Sequence, residues 1–414
     1  MDFSIQHFIN SIASFSVDNE GVTRFPCTQE SLLARQYIKS EMERLDLDVM
    51  IDCVGNVRGR LLSKDTHART MVVGSHYDSV RHAGKYDGVA GIASGLAVIA
   101  RLQKEKFDLP FHLEIIAFEA EEGCEFKSPF IGSKAITDQL TIEDLKGIPN
   151  SEGISYFEAC INNGLNPNDL SMHQYTSENL LGFLELHIEQ AASLDNANIP
   201  VGIVTAISGL KRIQIDFLGQ TNHAGATPMN QRRDAMMGAS GFIQSIPSIL
   251  SEHVTDQASI TAGRITCFPN RANIIPGKVS LEIDVRDTSD ATIEVLFESI
   301  QRSVSMIGLQ YDLNTDISIM GEGPAVTMDT VFVECFEKAC EKKNVDSCFI
   351  HSGAGHDAGI FYGLCPVGML FVPSHRGFSH NPQEFTEEHH LEQGTEVLYC
   401  MLKNYLPAAE IKPK

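Results

Sequence analysis

Near residue 209 the hydrophobic pattern changes its period, and that change dictates a fold in two parts. Before it, short apolar runs alternate with helical stretches. Met71-Val72-Val73 ends at Gly74, a Gly/Ala-rich apolar helix is expected over 88–103, and Leu113-Glu114-Ile115-Ile116-Ala117-Phe118 follows. Amphipathic helices are expected over 3–15 and 29–45. Apolar strands separated by helices predict a buried, mixed or parallel sheet. From 211 to 219 the chain instead alternates apolar and polar residues, as it does again at Val279, Leu281, Ile283 and Val285. Strands with one buried and one wet face belong to antiparallel sheets. Helical patterns at 233–250 and 291–307 accompany them, and Met369-Leu370-Phe371-Val372 returns to the first texture. The expected fold class is therefore α/β. A discontinuous domain, 1–208 and 326–414, carries a mixed, largely parallel sheet. An α+β insert over 209–325 serves as a lid or dimerisation module.

Charge excludes one class of partner. The chain has 54 acidic against 32 basic residues, a net −22, whereas nucleic acid demands a basic surface. No window approaches 18 uninterrupted apolar residues, so no membrane span is expected. The start, Met1-Asp2-Phe3-Ser4-Ile5, does not read as a signal peptide. Ten scattered cysteines without a C-x-x-C pair suit free thiols in a reducing cytosol. The expected location is cytoplasmic, and any metal should be held by His and carboxylates.

Five segments carry such residues. They are Gly74-Ser75-His76-Tyr77-Asp78, Gly84-Lys85-Tyr86-Asp87-Gly88, Glu119-Ala120-Glu121-Glu122-Gly123, Glu185-Leu186-His187-Ile188-Glu189-Gln190 and Gly377-Phe378-Ser379-His380-Asn381-Pro382. The first and third follow apolar strands, and open α/β sheets gather their sites at that edge. Such ligands suit Zn, Mn or Co. A hydrolytic two-metal site needs a bridging carboxylate, terminal His and carboxylate ligands, and a free acid/base.

With these segments, the chain resembles the peptidase M20 family, in its amidase/hydantoinase/carbamoylase branch. The most branch-specific stretches are ELHIEQ at 185–190, NHAGATPM at 222–229 and HSGAGHDA at 351–358. The resemblance implies a metallopeptidase-like catalytic domain with two divalent metal ions (Zn, Mn or Co). It implies that Asp87 bridges them, with His76 and His187 completing one site and Glu122 and His380 the other. Glu121 is then the general base, and Asp78 holds the His76 imidazole in its ligand tautomer.

On the substrate side, the resemblance implies that His223 polarises the scissile carbonyl. It implies that Asn273 and Arg286 bind a substrate carboxylate, which a planar guanidinium grips bidentately. Gln190 is a further expected pocket residue. Ser352 and Gly353 are expected to present backbone N–H groups to the substrate, with His356 and Asp357 supporting their loop. His389 and His390 read as a solvated helix face. Glu125, Leu210 and Gly359 depart from residues frequent in the branch and bear on substrate identity. The implied reaction is hydrolysis of a ureido (carbamoyl) C–N bond in a small carboxylate substrate, releasing ammonia and carbon dioxide. Allantoate is preferred on Asp78-Ser79-Val80-Arg81 and the Gly84–Gly88 stretch. An N-carbamoyl-L-amino acid is the alternative, and dipeptidase or aminoacylase activity a further one. A homodimer through the insert is also implied.

Overall fold

A computed structural model describes residues 3–252 and 257–406. Met1-Asp2, part of the start read above, lies outside the described residues. The contacts divide the chain into two units. One runs to Thr205 and resumes over Met328–Ile350 and from Ala354; the other is Ala206–Thr327 with His351–Gly353. The expected bounds of 209–325 differ by a few residues and omit His351–Gly353, a short stretch that returns late in the chain.

The strands, in chain order, are β1 (Asp48–Ile51), β2 (Val57–Leu61), β3 (Thr70–His76), β4 (His112–Phe118), β5 (Leu180–Ile188), β6 (Val201–Ile207), β7 (Gly209–Leu218), β8 (Ser259–Phe268), β9 (Lys278–Asp287), β10 (Asn314–Gly323), β11 (Val326–Thr327), β12 (Ser347–Ser352) and β13 (Val367–Val372). The first unit is built on the path β1-β2-β4-β3-β5-β13-β6. Its centre is parallel, β4-β3-β5-β13, and its flanks are antiparallel. Between β3 and β4 the chain crosses over through the helix Val89–Glu105, as parallel neighbours require.

Every residue of β3, β4, β5 and β13 is buried. That explains why these strands read as apolar runs without alternation. Val73, Leu96, Ile99, Ile115, Leu184 and Leu370 belong to one core cluster, and each such side chain withdrawn from water contributes about 1.5–3 kcal/mol. The strand expected to end at Gly74 continues through Ser75 and His76. These polar residues are tolerated inside because they find partners: the Ser75 hydroxyl donates to Glu185 Oε1 at 2.8 Å.

The second unit is a four-stranded antiparallel sheet, β10-β7-β9-β8, with the helices Ala235–Glu252 and Asp290–Gln310 packed against it. Ile213, Ile215, Phe217, Val279, Leu281, Ile283 and Val285 are buried, while the residues between them are less so. The period-two pattern thus identifies the buried face directly.

Candidate active site

The expected metal-ligating residues lie at the C-terminal ends of the four central parallel strands or in the loops that follow. His76 closes β3, Glu121 and Glu122 follow β4, His187 is the penultimate residue of β5, and His380 follows β13. Asp87 begins the turn into the helix Val89–Glu105. Parallel strands bring these ends to one edge regardless of sequence separation.

Asp87 is the centre. Its Oδ1 lies 3.4 Å from His76 Nε2 and 3.0 Å from His187 Nε2. Its Oδ2 lies 3.3 Å from His380 Nε2, which is also 3.4 Å from Glu122 Oε2. The other ring nitrogens are held by the main chain: His76 Nδ1 is 3.1 Å from the Asp78 carbonyl and His187 Nδ1 is 2.9 Å from that of Ile188. The Gly88 N–H also donates to His187 Nε2 at 3.1 Å. With the protons on Nδ1, both Nε2 lone pairs face the Asp87 carboxylate. His76 Nε2 and His187 Nε2 converge on one oxygen of Asp87, a donor set that fits a cation. So does Glu122 Oε1, which is buried and has no hydrogen-bond partner. The sets His76-Asp87-His187 and Asp87-Glu122-His380 each bring one ligand atom per residue within 4.8 Å of the others. These residues therefore fit two divalent ions sharing Asp87.

Backbone geometry sharpens the site. Gly88 has φ +67°, and a Cβ there would lie 2.5 Å from the His76 carbonyl and 2.6 Å from its ring. Ala120 and His380 adopt left-handed φ of 62° and 54°, uncommon for residues with a side chain. Ala120 directly precedes Glu121, and its conformation turns the Glu pair back toward β3.

Burial dominates the protonation behaviour. It raises the Glu121 carboxyl well above the usual range; the His76 charge opposes this, while Glu122, Asp357 and Asp78 add to it. Burial, then the Asp87 charge, pushes Glu122 up to about 7. Burial alone would raise Asp87, but hydrogen bonds from His187, His380 and His76 hold it well below its ordinary value. The hydrogen bond to Asp87 lifts His380 to about 9. A carboxyl with raised proton affinity, Glu121, thus lies beside the carboxylate and imidazole cluster around Asp87.

Two of the expected residues, Asp78 and Gln190, make contacts that were not foreseen. The Asp78 carboxylate does not hold the His76 ring: its Oδ1 is 3.6 Å from Nδ1, and the Asp78 carbonyl makes that contact instead. The carboxylate accepts the main-chain N–H groups of Glu121 at 3.0 Å and Glu122 at 3.2 Å. Asp78 therefore orients the Glu pair. Gln190, expected in the substrate pocket, donates through Nε2 to Asp87 Oδ2 and to Ser379 Oγ, both at 3.2 Å. Ser379, to which no role was given, donates to the same Asp87 oxygen at 2.9 Å. His356 and Asp357 are buried, His389 is exposed and His390 partly so.

The remaining expected residues lie in the second unit. His223 is exposed, and its Nδ1 accepts the N–H groups of Gly225 at 3.1 Å and Ala226 at 3.2 Å. In the neutral ring this puts the proton on Nε2, which faces outward as a donor. Asn273 is exposed, and its carbonyl accepts the Ala224 N–H at 3.0 Å, tying down the His223 loop. Arg286 donates to Asp284 from Nε at 2.7 Å and Nη2 at 3.2 Å, and to the Gly353 carbonyl from Nη1 at 2.6 Å. Gly353 therefore offers Arg286 a carbonyl. The Ser352 carbonyl accepts the Ser208 N–H at 2.8 Å. Three of the five guanidinium N–H groups are engaged, which leaves one on each Nη for a carboxylate.

The profile of Peptidase family M20/M25/M40 matches residues 72–404, from β3 through the last helix. The chain belongs to this family. An N-carbamoyl-L-amino-acid amidohydrolase of Paenarthrobacter aurescens is 33% identical to this M20 chain over 400 residues, covering 96% of the chain and 97% of that protein. An allantoate amidohydrolase of Bacillus subtilis is 34% identical over 403 residues, covering 96% of each. A crystal structure of an amidase of the hydantoinase/carbamoylase family from Burkholderia multivorans superposes with a TM-score of 0.90 at 28% identity, covering 97% of both chains. The M20 chain is an amidohydrolase. No helix among its described residues is long and apolar enough to cross a membrane.

Proposed function

We propose that this M20 chain hydrolyses a ureido C–N bond of a small carboxylate substrate, with allantoate preferred over an N-carbamoyl-L-amino acid. One observation carries the reading. Asp87 presents one oxygen to two imidazoles and the other to His380, beside Glu122, with Glu121 close by. His76, His187 and Asp87 would hold one divalent ion, and Asp87, Glu122 and His380 the other. Such a pair supplies Lewis acidity to the attacking water and the scissile carbonyl. Glu121 takes a proton from the water and returns it to the leaving nitrogen; its burial gives a carboxylate the basicity this requires. Cleavage yields an amine and a carbamic acid, or their equivalents at the terminal ureido nitrogen, ending in ammonia and carbon dioxide.

In the same reading, the outward Nε2–H of His223 donates to the carbonyl oxygen as negative charge develops there. Arg286 grips the substrate carboxylate through its two Nη atoms, held in plane by Asp284. Asn273 adds a neutral donor. The expected homodimer fits the second unit, where β8 and β10 are the sheet edges and Ile265 and Phe268 of β8 are exposed.

The test is ammonia release from allantoate, N-carbamoyl-L-amino acids and ureidoglycolate, with dipeptide cleavage in parallel, each with Mn, Co or Zn added. Allantoate turnover above the others is expected. Cleavage of dipeptides alone would sink the ureido reading, and a preference for N-carbamoyl amino acids would move the substrate assignment to the alternative.

A further inference from the structure

We propose that Glu384 is a positioning residue that fixes the main chain carrying Asp87, so that both Asp87 oxygens face their partner sets. The inference rests on the dinuclear reading above. Glu384 Oε1 accepts two successive N–H groups, of Tyr86 at 2.8 Å and of Asp87 at 3.1 Å. These groups stand just ahead of the helix that begins at Val89, where a turn leaves N–H groups without helical acceptors. Glu384 is 5% exposed, and its Oε2 is buried without a hydrogen-bond partner. Placing such a group beside the anionic Asp87 is unfavourable.

The sequence has made room for it. A Cβ at Gly84 would lie 2.2 Å from the Cβ, Cδ and Oε1 atoms of Glu384, and Gly84 has no left-handed φ that would otherwise require glycine. The residue is small because the Glu384 carboxyl passes there. Glu384 also belongs to the segment that supplies the other contacts to Asp87. Its N–H donates to the Asn381 carbonyl at 3.0 Å, one residue after His380. Ser379 and His380 reach the Asp87 carboxylate while Glu384 holds the Asp87 main chain. One six-residue stretch, 379–384, therefore sets both the ligand carboxylate and the backbone beneath it. A shift in Asp87 would disturb both ions at once, because it is common to both ligand sets.

The experiment is Zn²⁺ uptake by the full chain, stripped of metal and titrated against a chromophoric chelator, with melting of the metal-free forms recorded alongside. E384A is expected to weaken Zn²⁺ binding by about 10–100-fold, the range typical of lost outer support to a ligand. E384Q keeps an accepting oxygen at the same place and should stay within about threefold of wild type. G84A should resemble E384A, because a Cβ at position 84 would lie 2.2 Å from the Glu384 Cβ, Cδ and Oε1 and must displace that side chain. Unchanged affinity in E384A, or E384Q falling as far as E384A, would overturn the inference. If E384A does not fold, G84A against E384Q carries the same comparison. Wild-type protein that takes up no Zn²⁺, Mn²⁺ or Co²⁺ would instead overturn the dinuclear reading itself.

Discussion

Replacing Glu121 by Gln isolates proton transfer from everything else the site does. The amide has the shape of the carboxylate, and the Glu121 main-chain N–H that Asp78 accepts at 3.0 Å is untouched. The side chain is 9% exposed, so neither bulk water nor buffer readily substitutes for it. What is lost is a group able to take and return a proton. General acid–base catalysis contributes about 10²–10⁴ in rate, or about 2.7–5.4 kcal/mol at 1.36 kcal/mol per decade. The contacts that define the two ligand sets, at 3.0–3.4 Å around Asp87, do not include Glu121. Cation stoichiometry should therefore be kept. Stability should move the other way from activity. Burial, with Glu122, Asp357 and Asp78, raises the Glu121 carboxyl in the folded protein, so the unfolded chain ionises first as pH rises. The wild-type carboxylate then subtracts stability above its unfolded value, and the amide does not. Metal-free E121Q should melt higher than wild type, by a margin that grows as pH rises above the unfolded value of 4.5. The assays are initial rates of ammonia release, cation content, and melting in chelator. Turnover within about threefold of wild type would refute the role of base, and loss of one cation equivalent would make Glu121 a ligand instead.

Arg286→Lys should raise KM by about 10–100-fold while kcat changes little, because an ammonium cannot reproduce the two-pronged grip; an equal loss on a substrate amide lacking the carboxylate would contradict this. His223→Ala should lower kcat by about 10²–10³ with KM nearly constant, as expected for a donor used mainly in the transition state, and steady-state kinetics decide it. Glu114→Gln breaks a buried cluster in which Arg58 lies 2.7 Å and Arg60 2.6 Å from the carboxylate, and should cost about 3–5 kcal/mol in denaturant unfolding near pH 7. Burial alone would raise Glu114, but the two arginines hold it below its ordinary value, so its contribution is present above the unfolded value of 4.5 and is lost as pH falls below it. The gap between wild type and E114Q should accordingly shrink toward acid, and a gap independent of pH would refute the ion-pair account.

Periodicity alone located much of this molecule. The second unit was legible because a sheet wet on one face must alternate, and Ile213, Ile215, Phe217, Leu281 and Ile283 do so. The parallel centre was visible as apolar runs, but its lengths were not. Ser75, His76, Glu185 and His187 sit inside fully buried strands, where partners across the sheet replace hydrophobicity. Residue types and the turn at Gly88 marked the metal-ligating candidates. Local sequence cannot report on a hydrogen bond that spans 297 positions, so Glu384 carried no signal of its own.

Hydrophobic period was enough to divide the chain, and His, Asp and Glu at strand ends marked candidate segments whose roles came from the family resemblance. Which atom meets which was decided by tertiary structure. Parallel strands deliver His76, Glu122, His187 and His380 to one edge, and the turns there select a carbonyl of Asp78 for the imidazole and its carboxylate for the Glu pair. The physical reason is range. Periodicity reflects burial, which each residue feels locally, whereas ligand geometry depends on distances fixed only when remote segments pack.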